Sequence, residues 1–301
     1  MTRKAFPICL IAVVILAGYA AGQQKPQVDL AWKLKEGDKL HVELVDSEKT
    51  ALAALGQDLK TETTMKATLT VEKITKGGPI VLAQRIDSLK TQGGGLAATF
   101  IDNIFREIEG STIKVHLDEN YQFQKLEGAE EIVKRAADKA QVPPQAAGLV
   151  DSLISATLLK PCERLFGVKL PGKPVAKGDK WSQKLAAPLG LLGKISIVHN
   201  YTYQGTSDGL HRIEVTPAIT FSNEENKGGG LGGLTVKKAD LKAETAKGNI
   251  YFDTDKGRMT GSDMTMRIKG TLTLSAMNQD FPLEVDIEMQ NKMTLTPAKE
   301  K

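Results

Sequence analysis

Met264-Thr265-Met266-Arg267-Ile268-Lys269-Gly270-Thr271-Leu272-Thr273-Leu274 and, six residues later, Phe281-Pro282-Leu283-Glu284-Val285-Asp286-Ile287-Glu288-Met289 alternate apolar with polar or small residues. Side chains of a strand point to opposite faces with period two, so each run reads as a strand with one apolar and one wet face. One-faced strands belong to antiparallel sheets, since parallel strands are usually covered on both sides. Ala276-Met277-Asn278-Gln279-Asp280 is the connection that folds the two runs into a hairpin. Register then puts Met264, Met266, Ile268, Leu272 and Leu274 on one face with Leu283, Val285, Ile287 and Met289, because a one-residue slip would turn the whole set to water. Arg267 and Lys269 fall on the other face beside Glu284, Asp286 and Glu288.

The same period recurs outward from this hairpin. Leu40, Val42 and Leu44 alternate with Lys39, His41 and Glu43, Met65, Ala67, Leu69 and Val71 with Thr64, Lys66, Thr68 and Thr70, and Ile195, Ile197, Tyr201 and Tyr203 do likewise, as do Ile213 and Val215. Strands this long twist and curl. Helical spacing is confined to the middle. Ile132, Val133, Ala136, Ala137 and Ala140 form one apolar stripe, stopped by Pro143-Pro144. Leu149, Val150, Leu153, Ile154, Thr157 and Leu158 form a second, which Pro161 ends or kinks. A weaker helix covers 96–108. The fold class is α+β and predominantly β, with long antiparallel curved sheets in two similar halves and helices inserted between them.

The likeness of the halves rests on punctuation. Gly37-Asp38-Lys39 recurs as Gly178-Asp179-Lys180, each near a tryptophan, Trp32 and Trp181. Gly93-Gly94-Gly95 recurs as Gly228-Gly229-Gly230, and Asp118 after one strand matches Asp253 after another. The divisions expected are a signal segment over 1–22, a β-rich half over 23–127, helices over 128–166 and a second β-rich half over 167–301. Arg3 and Lys4, the apolar run 8–17 and the small residues Gly18, Ala20, Ala21 and Gly22 have the order of a secretory signal. The run is short of the roughly 20 residues a spanning helix needs, and no later run is as apolar, so no spanning segment is expected after its removal. Export to the periplasm or beyond follows.

Trp32-Lys33-Leu34-Lys35-Glu36-Gly37-Asp38, the stretch Leu170 to Trp181 and the hairpin at Asp118 resemble an uncharacterised family of exported bacterial proteins, a domain of unknown function. The resemblance implies export and a β-rich fold. It carries no catalytic residues.

Composition and motifs exclude more than they assign. The chain is 301 residues long, 41% hydrophobic and 25% charged, too apolar for disorder. Its formal charge of +4 is spread along the chain, so no nucleic-acid footprint is expected. Cys162 has no partner beyond the signal and reads as a buried inert thiol. Gly205-Thr206-Ser207-Asp208-Gly209 has the letters of a nucleophile elbow, but a strand follows where a helix is required. In Gly167 to Pro174 the hydroxyl position of a phosphate loop is proline. Gly228, Gly230 and Gly233 lack the strand–helix context of a dinucleotide site. Ser111 and Lys114 open a strand, not a helix, and Asp253-Thr254-Asp255-Lys256-Gly257 lacks the later ligands of a calcium loop. No catalytic residue, metal site or cofactor is expected. The reading is a non-enzymatic module for an apolar or lipid-like ligand, held on the face of Met264, Met266, Ile268, Leu272, Leu274, Leu283, Val285, Ile287 and Met289, with the helices of 128–166 as cover. Lipid or another envelope protein is the expected partner. A structural or protein-interaction module of the envelope is the alternative, and a hydrolase using scattered acids ranks last.

Overall fold

A computed structural model describes residues 26–52, 57–93, 95–140, 147–188, 194–222, 234–276 and 279–296. The expected signal segment, Pro143-Pro144, the glycines 228–230 and 233, and the tip Met277-Asn278 lie outside these residues. The long strands are β2 (Lys39–Leu52), β3 (Gln57–Ile74), β4 (Ile80–Gly93), β8 (Lys180–Pro188), β9 (Lys194–Ser207), β10 (Leu210–Ser222), β11 (Leu234–Asp253), β12 (Arg258–Ala276) and β13 (Gln279–Thr296). Shorter ones are β1 (Gln27–Val28), β5 (Thr112–Leu117), β6 (Phe123–Glu127) and β7 (Val175–Ala176). The helices are α1 (Gly95–Ile108), α2 (Ala129–Lys139) and α3 (Ala147–Phe166).

Eleven strands form one sheet in the order β6-β5-β4-β3-β2-β13-β12-β11-β10-β9-β8, antiparallel at every pair, while β1 and β7 form a separate ribbon. The last strand returns to pair with the first long one, Met293 opposite Leu44, so the two halves share a single sheet. The hairpin register is the one the alternation demands. Met266 faces Met289, Ile268 faces Ile287, Leu272 faces Leu283, and on the other side Arg267 faces Glu288 and Lys269 faces Asp286. Arg267 donates to Asp286 at 2.9 and 2.7 Å and holds that carboxyl below the usual carboxylate range.

The sheet is curled. Trp32 lies 5.8 Å from the ring of Tyr121, in the β5–β6 turn, and 5.9 Å from that of Phe252, at the end of β11. β5 and β11 are six places apart in the sheet, a span of about 29 Å if it were flat. Only a strongly bent sheet brings both rings to one tryptophan. Phe166, at the end of α3, closes the cluster 4.9 Å from Trp32. The hand-over of Lys33 N–H to Gly257 O at 2.8 Å ties the entering chain to the β11–β12 turn.

The punctuation of the two halves builds matching structures. Gly37 N–H bonds Val71 O, Asp38 N–H bonds Lys35 O and Val71 N–H bonds Asp38 O. Gly178, Tyr203, Asp179 and Ala176 repeat these three bonds in the same order. Asp38 accepts from Lys35 N–H at 2.8 Å, and Asp179 from Ala176 N–H at 2.9 Å. Both glycines have positive φ, 88° and 96°, which an L side chain resists.

α3 runs on through Pro161 rather than ending there. Proline removes one helical N–H and pushes on the carbonyl a turn before it. The buried Gln84 of β4 donates its amide to Leu158 O at 2.5 Å, one carbonyl on from the Thr157 carbonyl that Pro161 leaves without its helical N–H. Cys162, one residue on, is fully buried, and burial pushes its thiol up to about 12.

Candidate functional site

Side chains on the inner face change character along the strands. At the end where β2 begins, Leu40, Leu44, Met65, Leu69, Leu82, Val115, Ile213 and Phe252 pack into a dry core with Ile154, Leu158 and Leu165 of α3. Further along, one row crosses the sheet from Thr91 through Thr63, Asp46, Asn291, Met264, Gly248 and Val215 to Tyr201 and Trp181. Its first four members are polar and point inward. Asp46 accepts from Asn291 at 2.6 Å and meets Lys160 at 2.5 Å and Arg164 at 3.7 Å, both from α3. On the far side, Tyr201 donates to Gln183 at 2.9 Å and lies 3.2 Å from the ring nitrogen of His199. Burial lowers the pKa of His199, and the Arg164 charge lowers it further.

Beyond this polar belt the inner face of the second half is apolar again. Met266, Ile268, Leu272 and Leu274 of β12 stand beside Leu283, Val285, Ile287 and Met289 of β13, and Leu241 and Ala243 of β11 continue the surface. Ile268 and Val285 are buried, whereas the other seven of the nine residues singled out from sequence are half-buried. At the outermost positions Leu59, Leu185 and Phe281 are exposed, Phe281 by 48%. Among the described residues, the helices expected to cover this end make no extensive contact with β12 or β13. The polar contacts of α3 fall on β4 at Gln84 and on β2 at Asp46.

Two of the motifs set aside on sequence grounds are turns, and the glycines 228, 230 and 233 lie outside the described residues. Asp208 and Gly209 both have positive φ and form the tight link between β9 and β10, as two-residue hairpins require. Asp253 accepts from Lys256 N–H at 2.9 Å, a side chain closing its own turn. Ser111 accepts from Arg135 at 2.6 Å. Among the described residues, no three of His, Cys, Asp and Glu converge as metal ligands would, and no helix is long and apolar enough to cross a membrane. A shallow polar hollow of about 290 Å³ lies on the outer face between Glu43, Lys66 and Lys90.

The belt was missed in sequence, though it leaves a trace there. Asp46 is in phase with Leu40, Val42 and Leu44, and Thr63 and Thr61 with Met65 and Ala67. An acid at an in-phase position of an alternating strand marks a place where the core is interrupted. The cations that answer it come from α3 and could not be assigned without the fold.

A curled antiparallel sheet with a helix in its trough, a polar belt and an apolar far end defines a class of β-rich module with an accessible inner face. The chain belongs to the family of unknown function DUF6263, whose model matches residues 86–277. None of the curated proteins matches the sequence. Among solved structures, the chain is similar to DynF of the dynemicin biosynthesis pathway of Micromonospora chersina. That match has 9% identity and a TM-score of 0.17, over 89% of this chain and 85% of that one. It is also similar to the COG4313 outer membrane channel of Pseudomonas putida F1, with 9% identity and a TM-score of 0.22, over 89% and 98% of the two chains.

Proposed function

We propose that this is an exported cell-envelope protein that binds an apolar or lipid-like ligand, without catalysis, on the far inner face of its second half. The observation that carries the reading is the partial exposure of an apolar surface built from Met266, Leu272, Leu274, Leu283, Ile287 and Met289, next to a core that is otherwise dry. Apolar surface left open inside a concave sheet is a binding site by default, because water gains from its cover. Methionines suit ligands of varied shape. The polar belt at Asp46 and Asn291 sets the floor at which the lining stops.

Native mass spectrometry of the mature chain purified from its host, with extraction of the bound fraction, tests the reading. An apolar adduct is expected, together with saturable binding of a fluorescent acyl probe. Met266→Glu with Met289→Glu should abolish probe binding while leaving a cooperative melt. A clean protein that fails to saturate with the probe refutes the proposal. Export is checked separately by N-terminal sequencing, where a chain beginning near Gln23 is expected and one beginning at Met1 is not. The alternative, an interaction module of the envelope, is favoured by a sheet edge left open between β10 and β11.

A further inference from the structure

β10 and β11 pair over only five positions, from His211 opposite Phe252 to Val215 opposite Gly248. Both strands continue far beyond. β10 keeps its ladder to β9 as far as Ser222, and β11 keeps its ladder to β12 as far as Leu234. Among the described residues, no strand therefore pairs with Pro217–Phe221 of β10 or Leu241–Lys247 of β11 on the sides that face each other. The split begins at Pro217, which cannot donate to a ladder and is tolerated at an edge.

The first half has the same split and fills it. β4 leaves β5 after Arg85 opposite Thr112, yet runs on to Gly93. Ile86, Leu89 and Thr91 there occupy the positions of Pro217, Ile219 and Phe221, by their pairing with Ala67, Met65 and Thr63 as against His199, Ile197 and Ile195. Ile86 N–H bonds Ser111 O at 3.0 Å, Leu89 N–H bonds the Glu109 carboxylate at 2.7 Å, and Thr91 N–H bonds that of Asp102 at 3.5 Å. α1 and the turn after it supply acceptors to the freed amides. Among the described residues, no helix lies between β10 and β11 in the chain.

We infer that the split between β10 and β11 is an addition site for an extended polypeptide strand of a partner, alternating apolar and acidic residues. Unpaired amides and carbonyls along a strand are matched by another backbone, the chemistry of strand addition. Inward side chains of such a strand would lie beside Leu241, Ala243, Ile219 and Phe221, so they must be apolar. Outward ones would face Lys242 and Lys247, which are exposed and have no acid within ion-pair distance among the described residues. The molecule already contains such a strand. Leu283 to Met289 of β13 points apolar residues inward and Glu284, Asp286 and Glu288 outward, with Asp286 and Glu288 at 2.7 and 3.5 Å from Arg267. A second copy of the chain would set lysine against lysine at this edge, a known deterrent to self-pairing. The connection 223–233, Asn-Glu-Glu-Asn-Lys followed by a glycine-rich run, has no apolar–acidic alternation.

The test uses the full mature chain and a capped eight-residue peptide alternating Glu and Val, with a Lys–Val peptide and a Glu–Val peptide N-methylated on alternate amides as controls. Hydrogen exchange should slow about tenfold or more over 217–221 and 241–247 when the Glu–Val peptide is added, with exchange elsewhere unchanged. The Lys–Val peptide should bind about fivefold or more weakly, and the N-methylated one should not protect either segment. Lys242→Glu with Lys247→Glu, both surface positions, should reverse the order of the two peptides. Equal binding of Glu–Val and Lys–Val overturns the inference, as does protection only at β6 or β8. It also falls if the two segments are already protected in the free chain, which would assign the edge to 223–233, or become protected with protein concentration alone, which would assign it to a second copy. None of these outcomes bears on the acyl-probe measurement.

Discussion

The two halves of the sheet agree where their turns are and disagree where their strands end. Gly37-Asp38 and Gly178-Asp179 make the same three backbone bonds and the same carboxylate cap. At the other end, β4 is closed by Asp102 of α1 and by Glu109 in the turn after it, while among the described residues no helix bonds the backbone of Pro217–Phe221 of β10. The inner faces differ as well. Val42, Ala67 and Leu69 of the first half are fully buried and apolar, and their counterparts in register are Gln183, His199 and Tyr201. One backbone plan therefore carries a half closed at its strand end and a half with an open edge, and the polar belt crosses from the first into the second. Turn chemistry sets the plan, and the side chains between turns set what each half can bind.

The largest effect that tests this contrast is a charge placed in the apolar phase. Ile268→Asp and Val285→Asp bury an unpaired carboxylate at positions only 7% and 6% exposed. They should cost about 3–5 kcal/mol in chemical denaturation, as Leu82→Asp should in the sealed half. Thr271→Asp, three residues on from Ile268, on the outer face and opposite Glu284, should cost roughly 0.5 kcal/mol. Equal losses at Ile268 and Thr271 would mean that the faces of the second half are misassigned.

Next in size is the seal itself. Glu109→Ala leaves the Leu89 amide without its acceptor, and Leu89 is 1% exposed. A loss of about 1–3 kcal/mol is expected, with faster exchange at Leu89 than at Val115. A silent Glu109→Ala would show that α1 lies beside β4 without closing it. The shared turns give a smaller and symmetrical prediction. Asp38→Ala and Asp179→Ala each remove one carboxylate–amide bond and should each cost about 1 kcal/mol. A clear inequality between them would break the likeness of the halves at its firmest point.

The legibility of the sequence follows the same division. Period two is a local signal, so the β12–β13 hairpin, its register and its cross-strand charges could be read residue by residue. Turn residues are local too, which is why Gly37, Asp118 and Asp253 were readable. Pairing of β13 with β2 brings together residues more than 240 positions apart, as at Asp46 and Asn291, and no local pattern encodes it. The belt shares that fate, because Lys160 and Arg164 look like ordinary helix-surface cations until curvature carries α3 across the trough. Pro161 left two outcomes open, an end or a kink, and the structure removes the first, since α3 runs on to Phe166.

The smallest expected effect concerns acid, and it too separates the halves. His199 occupies the position that Ala67 holds in the first half, each opposite its partner on the next strand, Pro217 and Ile86. Burial, and then the charge of Arg164, disfavour the imidazolium in the folded chain, so the folded pKa lies below the 6.5 of the free side chain. Between those two values the unfolded chain binds more protons than the folded one, and stability rises with pH across the interval. The contribution is whole above 6.5, falls as pH drops through it, and stops falling below the folded pKa. His211 acts with the same sign, its pKa lowered by burial against the pull of Asp255 and Asp253. The difference between wild type and His199→Gln isolates the first residue. Urea midpoints measured from pH 7.5 to 5 should decline less steeply in the variant. Parallel declines would mean that His199 is free to take a proton beside Arg164, and the belt would then be wetter than its burial implies.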